Sequence, residues 1–292
     1  MLPLFFRELA RGFPQQLSRL RALCRPASWP DQKRQQACRT QKLTYVVATA
    51  LNEFLKYPLG MNSIALVIFD IGGTIVEDRG EVPRALLSAF KENGVEASAA
   101  DIRRFRGASK RELIAALVGQ QWGAAAPENE GRARAIADRF ESCLEEAYGS
   151  SGGRAIAGAA ASLSWLRERG IAAAVNSGFP RRIADLLLSR AGLAGWFNAV
   201  ITGEDVSKGR PAPYLIFRAM ECTGATDVRA VIAVGDTPLD IQAGRNAGVG
   251  QVVAVSTGAY SSEELEKHSP DHVLPSVAGL PELVDAIWPA GA

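Results

Sequence analysis

Histidine and cysteine are scarce in this chain. The two histidines, His268 and His272, lie near the C-terminus, so a His-based triad or a His-rich metal site has too little to draw on. The four cysteines, Cys24, Cys38, Cys143 and Cys222, are far apart and show no C-x-x-C spacing. Neither a disulfide framework nor a zinc site fits them, and a reducing, cytoplasmic setting is expected. No apolar run reaches the roughly 20 residues that cross a bilayer, and no membrane partner is expected. An excess of one charge is missing too: 33 Lys+Arg against 31 Asp+Glu leaves +2 over 292 residues. No strong field marks the main body as a nucleic-acid binder. What is there, 47% hydrophobic and 22% charged residues, suits a globular enzyme of one large domain or two smaller ones.

The small net charge hides an asymmetry. Residues 1–60 hold 10 Lys+Arg and 3 Asp+Glu, whereas the rest holds 23 and 28. The opening "MLPLFFRELARGF" starts apolar, but Arg7, Glu8 and Arg11 interrupt it too early for a signal peptide. An Arg-rich, acid-poor leader has the composition of an organelle transit peptide, of a tail, or of an upstream reading of the gene that precedes Met61. Residues 1–60 are expected to lie outside the catalytic fold. The alternative is one docked amphipathic helix over 43–55.

From residue 64 two periodicities alternate. "IALVIFD" reads as a strand buried on both faces, as in a parallel sheet. Val82, Leu86 and Phe90 then recur at helical spacing and Gly94 stops them. Ser98 with Asp101 resembles a capping pair. Lys110 to Val118 and Ala133 to Tyr148 are helical in pattern, nothing between 80 and 150 reads as a strand, and "GSSGG" at 149–153 reads as a linker. Beyond it helices and strands alternate, with strands at "IAAAVN", "AVIT", "AVIAVG" and "QVVAVS". The expectation is an α/β fold with a doubly wound parallel sheet, in which residues 61–79 and 155–292 form the core and 80–154 an all-helical insertion after the first strand.

In open parallel sheets ligands bind beyond the carboxyl ends of the strands. Four polar groups fall there: Asp70, then Asn176-Ser177-Gly178, then Lys208-Gly209-Arg210-Pro211, then Gly235-Asp236-Thr237 with Asp240. Singly each is weak, since an Asp after a strand is more often a cap or turn residue. Together and in order they compose a phosphoryl-transfer site. Two carboxylates, Asp70 and Asp236, suit Mg²⁺, which prefers oxygen ligands. The Ser177 hydroxyl and adjacent backbone N–H groups suit phosphate oxygens, and Arg210 neutralises them. The remaining oxygen of Asp70 can attack phosphorus.

These segments, "FDIGGT", "VNSG", "GRPAP" and "GDTPLD", resemble the four motifs of the haloacid dehalogenase superfamily, over about residues 62–287. The resemblance implies a Rossmann-like core under a mobile cap and an aspartyl-phosphate intermediate. It makes Asp70 the nucleophile and a Mg²⁺ ligand, with the Gly72 carbonyl and Asp236 as further ligands. Thr74, Ser177, Gly178 and Arg210 contact substrate, Asp240 orients the water or the basic group, and Lys208 competes with Arg210 for the basic role. A homodimer through the cap is also implied.

The phosphatases of this superfamily carry a second Asp where Gly72 stands, an acid–base group worth about 10²–10⁴-fold. The loop "RGASKRELI" at 106–114 resembles the cap loop of the phosphonoacetaldehyde hydrolases, the phosphonatase branch, which also lack that Asp. By that resemblance Lys110 forms a Schiff base with the substrate aldehyde, and the departing group leaves without a proton; the alternatives for Lys110 are a substrate contact without an imine and an exposed lysine on the first turn of a helix. Two departures stand beside it: Arg106 replaces an apolar Met, and Arg111, Glu112 and Leu113 stand where a His is expected. The sequence thus leads to a small phosphonate or phosphate ester as substrate. Phosphomonoester hydrolysis is the alternative, and a binding protein that has lost turnover is a third.

Overall fold

The computed structural model describes residues 64–150 and 153–288. The leader, with its candidate helix over 43–55, lies outside the described residues. The strands are β1 (Leu66–Phe69), β2 (Ala172–Ser177), β3 (Ala199–Thr202), β4 (Val231–Gly235), β5 (Gln251–Val255) and β6 (His272–Leu274). They form one six-stranded sheet in the order β3-β2-β1-β4-β5-β6, and every neighbouring pair is parallel.

The continuous apolar runs have the reason expected of them. Val67 and Phe69 of β1 pack into one hydrophobic cluster and Leu66 and Ile68 into the other, on the opposite face. Strands β4 and β5 divide in the same way: Ile232, Val234, Val253 and Val255 on one side, Val231, Ala233, Val252 and Ala254 on the other. Side chains alternate with period two, so a strand covered on both faces must be apolar at every position. Helices α7 (Tyr214–Thr223) and α8 (Pro238–Ala247) cover the second face through Leu215, Ile216 and Ile241.

Helices α1 (Glu81–Glu92), α2 (Ala99–Arg104), α3 (Lys110–Trp122) and α4 (Asn129–Ser150) fill the segment between β1 and β2. Leu86 and Phe90 of α1, Leu117 of α3 and Ile136, Phe140 and Leu144 of α4 share one apolar cluster that runs on into the face of the sheet. The chain leaves the sheet and returns at one spot: Val76 and Ala155 form an antiparallel bridge, and the Glu77 and Ile156 amides each bond across it at 2.9 Å. Ser98 and Asp101 form the capping box anticipated at α2.

The linker expected at 149–153 is shorter, because α4 continues through Gly149 to Ser150. Twenty-two residues packed against α1 and α3 outweigh one helical glycine, a penalty of about 1 kcal/mol. Helices α5 (Ala159–Glu168) and α6 (Arg181–Arg190) follow the sequence pattern. The C-terminal α9 (Ser262–Glu266), β6 and α10 (Leu280–Ile287) were not expected; β6 is a three-residue edge strand, half-buried throughout.

Candidate active site

Register brings the four motifs to one edge. Phe69 pairs with both Val175 and Val234, so Asp70 stands level with Asn176 and Gly235, with Asp236 one residue beyond. After β1 the chain turns at once: the amides of Thr74, Ile75 and Val76 all donate to the Ile71 carbonyl. Gly73 makes this turn at φ 85°, and a Cβ there would come within 2.5 Å of Asp236 Oδ2. Gly72 is different, since its φ is unexceptional and a Cβ would meet the Phe179 ring at an ordinary 3.5 Å.

Arg210 is the hub. Its side chain is 1% exposed, with Nη2 on Asp70 Oδ1 at 2.5 Å and Nη1 on Asp240 Oδ1 at 2.5 Å. Nη2 also donates to the Asn176 backbone carbonyl at 2.7 Å and to Asn176 Oδ1 at 3.0 Å. Asp240 in turn accepts from the Thr237 amide and hydroxyl, closing a capping box at the start of α8. Burial pushes Asp240 up to about 6, against the pull of Arg210. Asp236 is raised well above the usual carboxylate range by burial and by the charges of Asp70 and Asp240.

Asp70, Asp236 and Asp240 offer carboxylate oxygens within 4.8 Å of one another. Asp236 Oδ1 accepts from the Thr74 hydroxyl at 3.1 Å, and its buried Oδ2 has no hydrogen-bond partner. A Cβ at Gly258 would stand 1.8 Å from that oxygen, so glycine leaves the approach to it clear. Three buried carboxylates, one with an orphaned oxygen, fit a hard divalent cation such as Mg²⁺.

Beside these carboxylates is a cavity of about 220 Å³ walled by Asp70, Gly72, Lys110, Ser177, Gly178, Phe179 and Arg210. Lys110, the first residue of α3, is buried; Nζ donates to the Ala108 carbonyl at 3.2 Å and lies 5.3 Å from the centre of the Phe179 ring. Burial, aided by the Arg210 and Arg106 charges, lowers its pKa to about 8 against the pull of Asp70. The loop that carries Lys110 sits directly on the sheet edge. Lys110 N donates to the Gly178 carbonyl at 3.1 Å, and Glu112 Oε1 accepts from the Gly209 amide at 2.8 Å.

The residue pattern matches the haloacid dehalogenase-like hydrolases over residues 64–248. The chain belongs to that family. This hydrolase is 29% identical over 222 residues to the phosphonoacetaldehyde hydrolase of Bacillus cereus (71% of this chain, 83% of that one). To the enzyme of that name from Latilactobacillus sakei it is 31% identical over 199 residues (65% and 74%). Its fold is similar to that of a phosphonoacetaldehyde hydrolase-like protein from Oleispira antarctica, with a TM-score of 0.65, 22% identity, and coverage of 77% and 92%.

Not every anticipated residue reaches the cavity. Thr74 is fully buried with its hydroxyl on Asp236, and it is absent from the cavity wall. Lys208 is exposed and also outside the wall, whereas Arg210 two residues on is enclosed. Arg111 is exposed, so only Arg106 of the two neighbouring arginines lines the cavity. Asp78, Phe179 and Thr257 were not singled out from the sequence. Asp78 pairs with Arg106 on the wall, Phe179 stands between Gly72 and Lys110, and Thr257 donates to the Gly73 carbonyl at 2.6 Å. "NSGFP" and "TIVED" carry the first two, but nothing in them tells a cavity wall from an ordinary loop.

Proposed function

We propose that this hydrolase is a Mg²⁺-dependent phosphonatase-like enzyme that cleaves the P–C bond of a small phosphonylated carbonyl compound, of which phosphonoacetaldehyde is the reference case. The observation that carries the reading is Lys110: a buried amine, lowered to about 8, on the wall of the same cavity as Asp70. A fall from 10.5 to about 8 raises the neutral fraction near neutral pH roughly 300-fold. A neutral amine is what adds to a carbonyl.

Ser177, the adjacent backbone N–H groups and Arg210 bind the phosphonyl oxygens. Asp70, Asp236 and the Gly72 carbonyl would hold Mg²⁺, which when bound neutralises phosphonyl charge. Lys110 Nζ adds to the carbonyl carbon and water leaves, giving an iminium. Arg210 holds Asp70 Oδ1 at 2.5 Å, and the other Asp70 oxygen attacks phosphorus. As the O–P bond forms, the P–C bond breaks and its electron pair runs into the iminium, giving an enamine. The leaving carbon needs no proton at that moment, so Gly72 is no deficiency. Protonation and hydrolysis of the enamine free Lys110, and water hydrolyses the aspartyl phosphate. Asp240, bonded to Arg210 at 2.5 Å, holds that guanidinium in place.

Phosphomonoester hydrolysis is the second reading, and Leu113 favours it. This residue lines the cavity one turn after Lys110 and can move no proton for imine formation. Borohydride trapping decides. With phosphonoacetaldehyde and Mg²⁺, reduction is expected to leave an adduct on Lys110 while acetaldehyde and phosphate are released. Phosphate release from esters alone, with Lys110 unmodified, would establish the second reading. Loss of all turnover in Asp70→Asn is expected under both and excludes a non-catalytic binding protein.

A further inference from the structure

We infer that Arg106 forms a second anion subsite in the reaction cavity, so that the substrate carries a carboxylate beyond its phosphonyl and carbonyl groups. The inference rests on the phosphonatase-like reading of the site. Arg106 is on the wall of the cavity that holds Asp70 and Lys110. The same wall carries the apolar Val82, Leu86, Ile102 and Phe105 and the charged Asp78 and Arg103. The Arg106 side chain is 21% exposed, and one nitrogen, Nη2, pairs with Asp78. Its Nε and Nη1 have no partner among the described residues. A guanidinium carries five N–H donors in a planar fork suited to a carboxylate. Neither atom is buried, so both are open to an acceptor.

The other cations of the wall are engaged. Arg103 bonds Glu264 at 2.7 Å and stacks on Tyr260 at 5.3 Å, and Arg210, held by Asp70 and Asp240 with only its buried Nε unpartnered, is the phosphonyl partner. Lys110 is the amine the reaction uses. Arg106 therefore stands as a cation with donors to spare, at the position where the phosphonatase loop it resembles has an apolar Met. A two-carbon aldehyde would leave those donors unused. A phosphonylated oxo acid would fill them.

The test compares two unreactive probes by calorimetry on the full chain with Mg²⁺. The probes are 3-phosphonopropanoate and propylphosphonate, which differ by a carboxylate against a methyl group. The acid is expected to bind about tenfold tighter or more, a difference of about 1.4 kcal/mol. Arg106→Met is expected to abolish the preference, and Arg106→Lys to keep part of it. Because Arg106→Met leaves Asp78 unpaired, the charge-balanced Asp78→Asn/Arg106→Met variant is measured beside it, with melting temperature checking that it folds. Asp78→Asn alone frees another donor and is expected to tighten the acid. Equal binding of the two probes, or a preference that survives in the double variant, overturns the inference and leaves the phosphonyl site standing. Failure of both probes to bind overturns the site reading as well.

Discussion

A lysine amine enclosed by Phe179 and the Ala108 carbonyl holds its proton less firmly than one in water, because burial disfavours the ammonium. The consequence for reactivity is a rise of trapping yield with pH through about 8 and a plateau above it. A solvated lysine would still be climbing at pH 10, and that outcome would remove the chemical basis for an imine. For stability the sign is opposite to that of a paired lysine. The unfolded chain binds this proton up to about 10.5 and the folded chain only up to about 8. Stability therefore rises with pH between those values, and below about 8 Lys110 destabilises the fold in full. Lys110→Met is expected to stabilise the protein at pH 7 by an amount on the order of 1–3 kcal/mol, read as a higher Tm, and by clearly less at pH 10. Thermal melts at the two pH values check this.

At the level of elements, the loop between α2 and α3 is fitted to the motif loops through glycines. A Cβ at Gly107 would lie 2.4 Å from Thr237 Oγ1, one at Gly178 2.4 Å from the Ala108 carbonyl oxygen, and one at Gly209 2.9 Å from Ser109 Cβ. The backbone of the helical insertion thus rests on three of the four motif loops, and this contact places Lys110 opposite Asp70. Gly178→Ala is expected to push the insertion off the Asn176–Gly178 loop and lower kcat/KM by about 10²-fold, the loss typical of a misplacement near 1 Å. Gly131 has nothing within 4 Å of its Cβ position, and Gly131→Ala serves as the control with near-normal activity. Steady-state kinetics on the pair checks it; equal losses would mean that the close approach has no part in catalysis.

Across the molecule, charge is gathered where the fold can least solvate it. The described residues place three buried carboxylates in one cluster with Arg210 as the buried partner of two of them, and Asp236 is left with an unpartnered oxygen. Like charges in such a place favour a bound cation. Mg²⁺ at about 100 times its Kd is expected to stabilise the protein by about 2.7 kcal/mol. That corresponds to a rise in Tm of several degrees for a protein of this size. Asp236→Asn removes one charge and is expected to shrink that rise. A melting temperature indifferent to Mg²⁺ and to chelator would leave the carboxylate cluster without its metal.

The sheet was legible because its physics is local in sequence. Strands covered on both faces are apolar at each position, so β1, β2, β4 and β5 stand out, and Asp70 and Asp236 follow directly on β1 and β4. The capping box at Ser98–Asp101 and the run of helices from 80 to 150 were legible for the same reason, since caps and helical periods need only neighbours within a few residues. Strand β6 was not, because a short edge strand is half-buried and its composition carries no period. Thr74 and Lys208 show the other limit: the motif places both near the chemistry, but only the packed structure sends one hydroxyl to Asp236 and leaves the other side chain in solvent. The sequence by itself determined the parallel sheet, the helical insertion and the placing of the motif residues at the carboxyl ends of strands, while the strand order set their sequence along the edge. The tertiary structure alone decided that Lys110, 40 residues from Asp70 along the chain, is buried on the same cavity wall, that Phe179 faces Gly72, and that Arg106 has donors to spare. Desolvation and pairing depend on what packs from distant parts of the chain, and no local pattern records them.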